Sequence, residues 1–473
     1  MDDDVARFAT TFERFMTDMS LAAASEQGSP FRDEIAHHVQ GDVTTMPVVV
    51  ETFADYDHPN VQVAIDAFLE EDRRRHRLIG LSGQQRRWMS LADLVQHAHQ
   101  TGVGLGSVDY ANLPVSPDDT LACVAFGCFL IEDGERRFAV LMRAGDEQRG
   151  SSDIALEVLA PEDAWARAFF AEIRELMVER NVFRGQVVSF GRSYMGEVGV
   201  GPMVFHRRQP LARDEIVLAD GVLERIERQI FGVERHRDRL RAAGQHVKRG
   251  LLLHGPPGNG KTLLVRYVAA TAGHHTVVIL TGAGLGMIQA ASSLARMLQP
   301  AVVVLEDVDL VAEMREHYPG GNPFLFQVLN EMDGVLEDAD IVFLLTTNRA
   351  DLLEPALAAR PGRVDLAVGI DRPGPEQRRR LIEVYSRGAA ARLRDVDEIV
   401  ARTDGVAAAF LKELMRKAAL FAAIRDQEAG PIEVVDDDVM EALDELLEES
   451  NALTRALLGG AEASDVDERS IEP

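Results

Sequence analysis

Cysteine is nearly absent from this 473-residue chain; Cys123 and Cys128 are the two it has. That scarcity excludes a disulfide framework and fits a reducing compartment. Both thiols lie in the apolar run Ala122 to Phe129, where they read as buried strand residues. A single C-x4-C without nearby histidines is a weak metal signal. Basic side chains are also in short supply, with 50 Lys and Arg against 77 Asp and Glu, a formal charge of -27. Such a surface repels phosphate backbones, which argues against nucleic acid or an anionic membrane as the main partner. No apolar run approaches the roughly 20 residues that cross a bilayer. The opening Met1-Asp2-Asp3-Asp4 has no signal-peptide pattern, so a cytoplasmic protein is expected.

The hydrophobic share, 46%, is enough for real cores, and the length calls for two or three domains. Residues 1–210 read as an α+β domain. The strand-like runs Leu121 to Ile131 and Arg137 to Arg143 flank the turn Glu132-Asp133-Gly134-Glu135, a hairpin signal. Pro161-Glu162-Asp163 then opens a helix with Trp165, Phe169, Ile173 and Leu176 along one face. The glycine-rich stretch from Val187 to Val204 leads onward as strand and turn. From 211 the pattern changes. A helix from Gly221 to Ile230 precedes five-residue apolar runs at Gly250 to His254, Thr276 to Leu280, Ala301 to Leu305 and Ile341 to Leu345, separated by helical segments. Buried runs of this kind mark a parallel sheet covered on both faces. We therefore expect an α/β core over 211–386, a helical lid over 387–450 and an acidic, disordered tail over 451–473.

Three stations carry the chemistry. Gly255-Pro256-Pro257-Gly258-Asn259-Gly260-Lys261-Thr262 follows a strand and opens a helix at Leu263, matching G-x-x-x-x-G-K-[ST] in its required context. Glycines let the backbone turn its N–H groups onto phosphates at a helix N-terminus. Lys261 is expected to bridge the β- and γ-phosphates and the Thr262 hydroxyl to ligate Mg²⁺. The strand Val302 to Leu305 delivers Glu306 and Asp307 to the same sheet edge, Glu306 for the metal and Asp307 for the attacking water. The strand from Ile341 ends at Asn348, an amide able to hold that water or read the γ-phosphate. The pairs His37-His38 and His274-His275 are expected to be surface or packing residues, since adjacent side chains point apart.

At these residues the chain resembles the AAA family of ATPases, over roughly 211–447. Besides the phosphate loop, Phe326 to Gly334, Thr347 to Leu357 and Arg360-Pro361-Gly362-Arg363-Val364-Asp365 carry the likeness. The resemblance implies ATP as cofactor, a homo-hexameric ring, and Arg360 and Arg363 as arginine fingers on a neighbour's γ-phosphate. It implies that adenine packs at Ile230-Phe231-Gly232 and that Gly405 to Ala408 brings the lid to the nucleotide. The Glu306-Asp307 order, and Leu223 to Arg228, are similar to the mitochondrial Rieske-assembly ATPases, without their membrane helix. The segment matching the family's pore loop, Gly284-Leu285-Gly286-Met287-Ile288, lacks the aromatic residue that grips polypeptide, leaving Met287 and Ile288 for apolar contact. No H-E-x-x-H signature follows the lid. The function expected is ATP-driven remodelling of a protein client bound by residues 1–210, the alternative a nucleotide-gated switch with slow hydrolysis.

Overall fold

The computed structural model describes residues 29–83, 86–96, 103–145, 153–191, 202–309, 328, 330–332, 339–349, 364–426 and 430–447. Arg360, Arg363 and the 451–473 tail lie outside them. The chain divides into two compact units, residues 1–184 with 190–205, and 185–189 with 206–473.

The first unit is built on an antiparallel sheet of seven strands: β1 (Val48–Phe53), β2 (Arg74–Ser82), β3 (Gly104–Gly106), β4 (Asp109–Pro114), β5 (Thr120–Asp133), β6 (Arg136–Arg143) and β7 (Ile154–Leu159). Their order is β1-β7-β6-β5-β2-β3, with β4 also on β5. The expected hairpin is β5–β6, in register from Phe126 with Arg143 to Asp133 with Arg136. Side chains alternate across a strand, so β5 feeds two cores. Phe129 and Ile131 pack with the helices His58–Leu69 and Asp163–Glu179. Cys128 and Leu130 pack on the other face with Pro30–Val39 and Leu91–Gln96. Cover on both faces is why β5 reads as an unbroken apolar run. Phe169 and Ile173 of the expected helical stripe are buried, and Trp165 and Leu176 flank them.

In the second unit, parallel strands carry the expected runs with their edges extended: β10 (Arg249–His254), β11 (Thr276–Thr281), β12 (Ala301–Glu306) and β13 (Ile341–Thr347). They join β8 (Val187–Ser189) and β14 (Leu366–Gly369) in the order β14-β10-β13-β12-β11-β8; β9 (Val204–His206) straddles the division between units. Each of these pairings is parallel. Val187–Ser189, which the sequence assigns to the N-terminal domain, is thus a strand of this sheet, because Val187 and Val188 are apolar enough to pair alongside Val277 and Val278. The helical region also begins earlier than residue 387. Leu381 and Ile382 of the helix Pro375–Ser386 pack into one core with the helices Val396–Arg402, Ala408–Asp426 and Asp436–Leu447.

Candidate active site

A parallel strand delivers whatever follows it to the carboxyl edge of the sheet. β10 ends at His254, and the loop 255–260 turns into the helix Lys261–Thr271. Three loop glycines take left-handed conformations, Gly255 at φ 143°, Gly258 at 78° and Gly260 at 98°. Gly255 is required for a second reason: a Cβ there would lie 2.3 Å from the carbonyl oxygen of Ile370. The loop is anchored on its far side as well. Ala409 N–H donates to the Gly258 carbonyl at 2.9 Å, and Ala408 N–H to Asn259 Oδ1 at 3.3 Å. The helical region therefore meets the phosphate loop at Ala408 and Ala409, the first of which ends the Gly405–Ala408 stretch singled out in the sequence.

Lys261 is 6% exposed. Its ammonium donates to the Gly255 and Pro256 carbonyls at 2.7 and 2.9 Å, which points it back over the loop. Burial lowers its pKa, while the negative charges of Asp307 and Asp309 act the other way. Two strands along, β12 ends in Glu306. Burial raises the pKa of this carboxyl, a hydrogen bond with the Thr262 side chain lowers it, and Asp307 raises it again. Glu306 Oε1 is buried with no hydrogen-bond partner among the described residues. An orphaned carboxylate oxygen beside a hydroxyl is a hard, all-oxygen donor set, which suits Mg²⁺.

Asp307 takes φ 50° and its N–H donates to Thr346 Oγ1 at 2.9 Å. Its pKa is raised by burial first and by Asp309 next, with Lys261 and Asn348 opposing. Asn348, at the end of β13, places its amide 3.5 Å from Asp307 Oδ1 and 3.4 Å from Asp309 Oδ2. Lys261, Thr262, Glu306, Asp307 and Asn348 are therefore brought together.

Asp309 is the residue that sequence reasoning passed over. It is buried and also accepts from the Thr347 hydroxyl at 2.9 Å and the Asn348 N–H at 3.1 Å. The one available signal was a third acid two residues after Asp307, which reads equally well as a solvated helix start.

Gly232 is not brought to this site. It belongs to a π-helical turn, Arg228–Gly232, and Ile230 is buried in the sheet core. The cavity beside Asn259 and Ala408, about 240 Å³, is lined instead by Val217, Leu218, Ala219 and Val222. Asn259 Nδ2 is buried there without a hydrogen-bond partner among the described residues. The reason is local: the helix from Val222 gives way to a π turn at Arg228, and Arg249 Nη1 donates to the Ile230 carbonyl at 2.7 Å. The proposed pore segment is also corrected in part. Leu285 and Ile288 are fully buried, so Ile288 has no exposed apolar surface to offer.

A model of the ATPase family associated with various cellular activities (AAA) matches residues 251–372. Those bounds take in the phosphate loop, the acidic strand end and Asn348. The second unit carries an AAA ATPase domain. Among curated relatives, this chain is 34% identical over 274 residues to the ATP-dependent zinc metalloprotease FtsH 2 of Sphaerobacter thermophilus, covering 54% of this chain and 41% of that one. Identity to the chloroplastic ATP-dependent zinc metalloprotease FTSH 1 of Oryza sativa is 31% over 354 residues, 68% of this chain and 51% of the relative. To the chloroplastic FTSH of Medicago sativa it is 36% over 233 residues, 46% and 32%. The chain thus spans about half or less of the length of these relatives. No helix among the described residues is long and apolar enough to cross a membrane.

Proposed function

We propose that this chain hydrolyses ATP with Mg²⁺ and uses the cycle to remodel a protein client as a homo-hexameric ring. The observation that carries the reading is convergence. A buried ammonium, an orphaned carboxylate oxygen and an acid–amide pair meet at one sheet edge, over a loop whose three glycines take positive φ. Loop N–H groups at the start of Lys261–Thr271 and the Lys261 ammonium bind the triphosphate, and Thr262 and Glu306 hold the metal. An Mg²⁺ ion held by Thr262 and Glu306 would supply neutralisation of the phosphate charge. Asp307 orients and deprotonates the attacking water, with Asn348 fixing its position. Adenine fits the cavity against Val217 to Ala219. Arg360 and Arg363 serve as fingers for a neighbouring copy, which is the reason for proposing a ring.

Client binding through residues 1–210 and a cytoplasmic location belong to the same proposal. Steady-state ATPase assays on wild type and Lys261→Ala test it. Turnover should fall to background in the variant, and equal turnover in both would remove the enzyme claim.

A second reading, a nucleotide-gated switch, is favoured by the pore segment, which has no aromatic residue and buries both Leu285 and Ile288. The Glu306-Asp307 order supports it too, since the shorter acid must bring water closer; the proposed likeness to Rieske-assembly ATPases, which rests on that order and on Leu223 to Arg228, instead makes the order compatible with hydrolysis. A tagged, folded client that stays intact through turnover favours the switch, and one that is unfolded favours the remodeller.

A further inference from the structure

The AAA domain holds a second cluster of ligating groups at the opposite, amino-terminal edge of its sheet. His274 and His275 form the loop entering β11, and Glu234 lies in the short helix Val233–Arg235. Adjacent histidines in an extended chain point apart, which is why the sequence argued against a metal here. Instead the two rings lie 4.8 Å apart, tilted by 42°, and both face Glu234. His274 Nε2 is 2.6 Å from one Glu234 oxygen and His275 Nε2 is 3.6 Å from the other.

We propose that Glu234, His274 and His275 form a binding site for a borderline transition-metal ion, Zn²⁺ foremost. Three nitrogen and oxygen donors with a fourth position left to water is a standard zinc donor set. The three donor atoms lie within 4.8 Å of one another. Tetrahedral bonds of about 2.0–2.1 Å put donors roughly 3.4 Å apart, so the cluster needs only a small contraction.

His274 can supply that movement, because its side chain is 70% exposed. His275 supplies the independent argument. It is fully buried, and neither ring nitrogen has a hydrogen-bond partner among the described residues. A buried imidazole without partners is costly unless something else takes its lone pair.

An ordinary His–Glu ion pair accounts for His274 but leaves His275 unexplained. The site is separate from the nucleotide. It lies beyond the far end of the helix Lys261–Thr271, whose 11 residues span roughly 16 Å. Bound metal would pin the Val233–Arg235 turn to the loop between that helix and β11.

Titrating Co²⁺ and Zn²⁺ into the nucleotide-free full chain tests the site. Wild type should bind one Co²⁺ with the intense visible absorption of a tetrahedral ion, displaced by Zn²⁺. His274→Ala, exposed and harmless to folding, should weaken binding at least tenfold with an unchanged circular dichroism spectrum; Glu234→Gln should do the same. Asp307→Asn, at the other edge, should leave this absorption in place. The proposal fails if wild type takes up no stoichiometric metal at micromolar concentration. It fails equally if His274→Ala binds as well as wild type, or if the signal disappears with Asp307→Asn alone.

Discussion

Replacing Asp309 by alanine tests whether the end of β13 is held in place for catalysis. The carboxylate is buried and accepts from the Thr347 hydroxyl, the Asn348 main-chain N–H and the Asn348 amide at 2.9, 3.1 and 3.4 Å. Asp309→Ala leaves the first two donors without their acceptor, at about 1–3 kcal/mol each. Part of this is offset, because removing Asp309 also removes a negative charge that raises the pKa of Asp307. A net local loss of about 1–4 kcal/mol follows, and about 2 kcal/mol within that range corresponds to roughly 30-fold more frequent opening of the segment.

Amide hydrogen exchange at Asn348 reads this directly. With the Asn348 amide no longer oriented, kcat should fall about 10- to 100-fold while the KM for ATP changes little. Asp309→Asn keeps one acceptor oxygen and should lie between the two. Unchanged exchange at Asn348 together with kcat within twofold of wild type would refute the reasoning.

Three further outcomes follow from the same structure. Gly255→Ala sets a Cβ against the Ile370 carbonyl at a φ that alanine resists, so nucleotide affinity, measured with a fluorescent analogue, should drop at least tenfold. In the first unit, burial pushes the Asp57 carboxyl up to about 6 from 3.8, against the opposing Asn60 hydrogen bond. A raised folded pKa means stability that is complete below about pH 4 and lost as pH rises through 6. Asp57→Asn should therefore add roughly 2–3 kcal/mol at pH 7.5 and little at pH 4, read from Trp165 fluorescence in urea. Burial also raises the Cys123 pKa to about 12 and that of Cys128 further, so neither thiol should react with a maleimide until the protein unfolds.

Much of the architecture was legible because buried strands announce themselves. The runs at 250–254, 276–280, 301–305 and 341–345 are strands, each extended by one or two residues at an end, and the glycines of the phosphate loop take the positive φ that their spacing demands. What the sequence hid were relations set by tertiary packing. Val187–Ser189 is too short to carry a periodic signal, and its place beside β11 depends on a neighbour about 90 residues away. The cavity against Val217 to Ala219 lies away from Gly232, where the resemblance put adenine, because an interrupted helix gives no local sign of where its turn will lie. Asp309 and the Glu234–His274–His275 cluster stayed invisible for a similar reason, as one buried acid or one pair of histidines is ambiguous until the fold supplies its partners.

A crystal structure of the full chain grown with a non-hydrolysable ATP analogue and magnesium tests the central claim most directly. Triphosphate should lie over Gly255 to Lys261, with the ion held by Thr262 and approached by Glu306. Phosphates bound elsewhere, or a Glu306 carboxylate turned away from the ion, would contradict it.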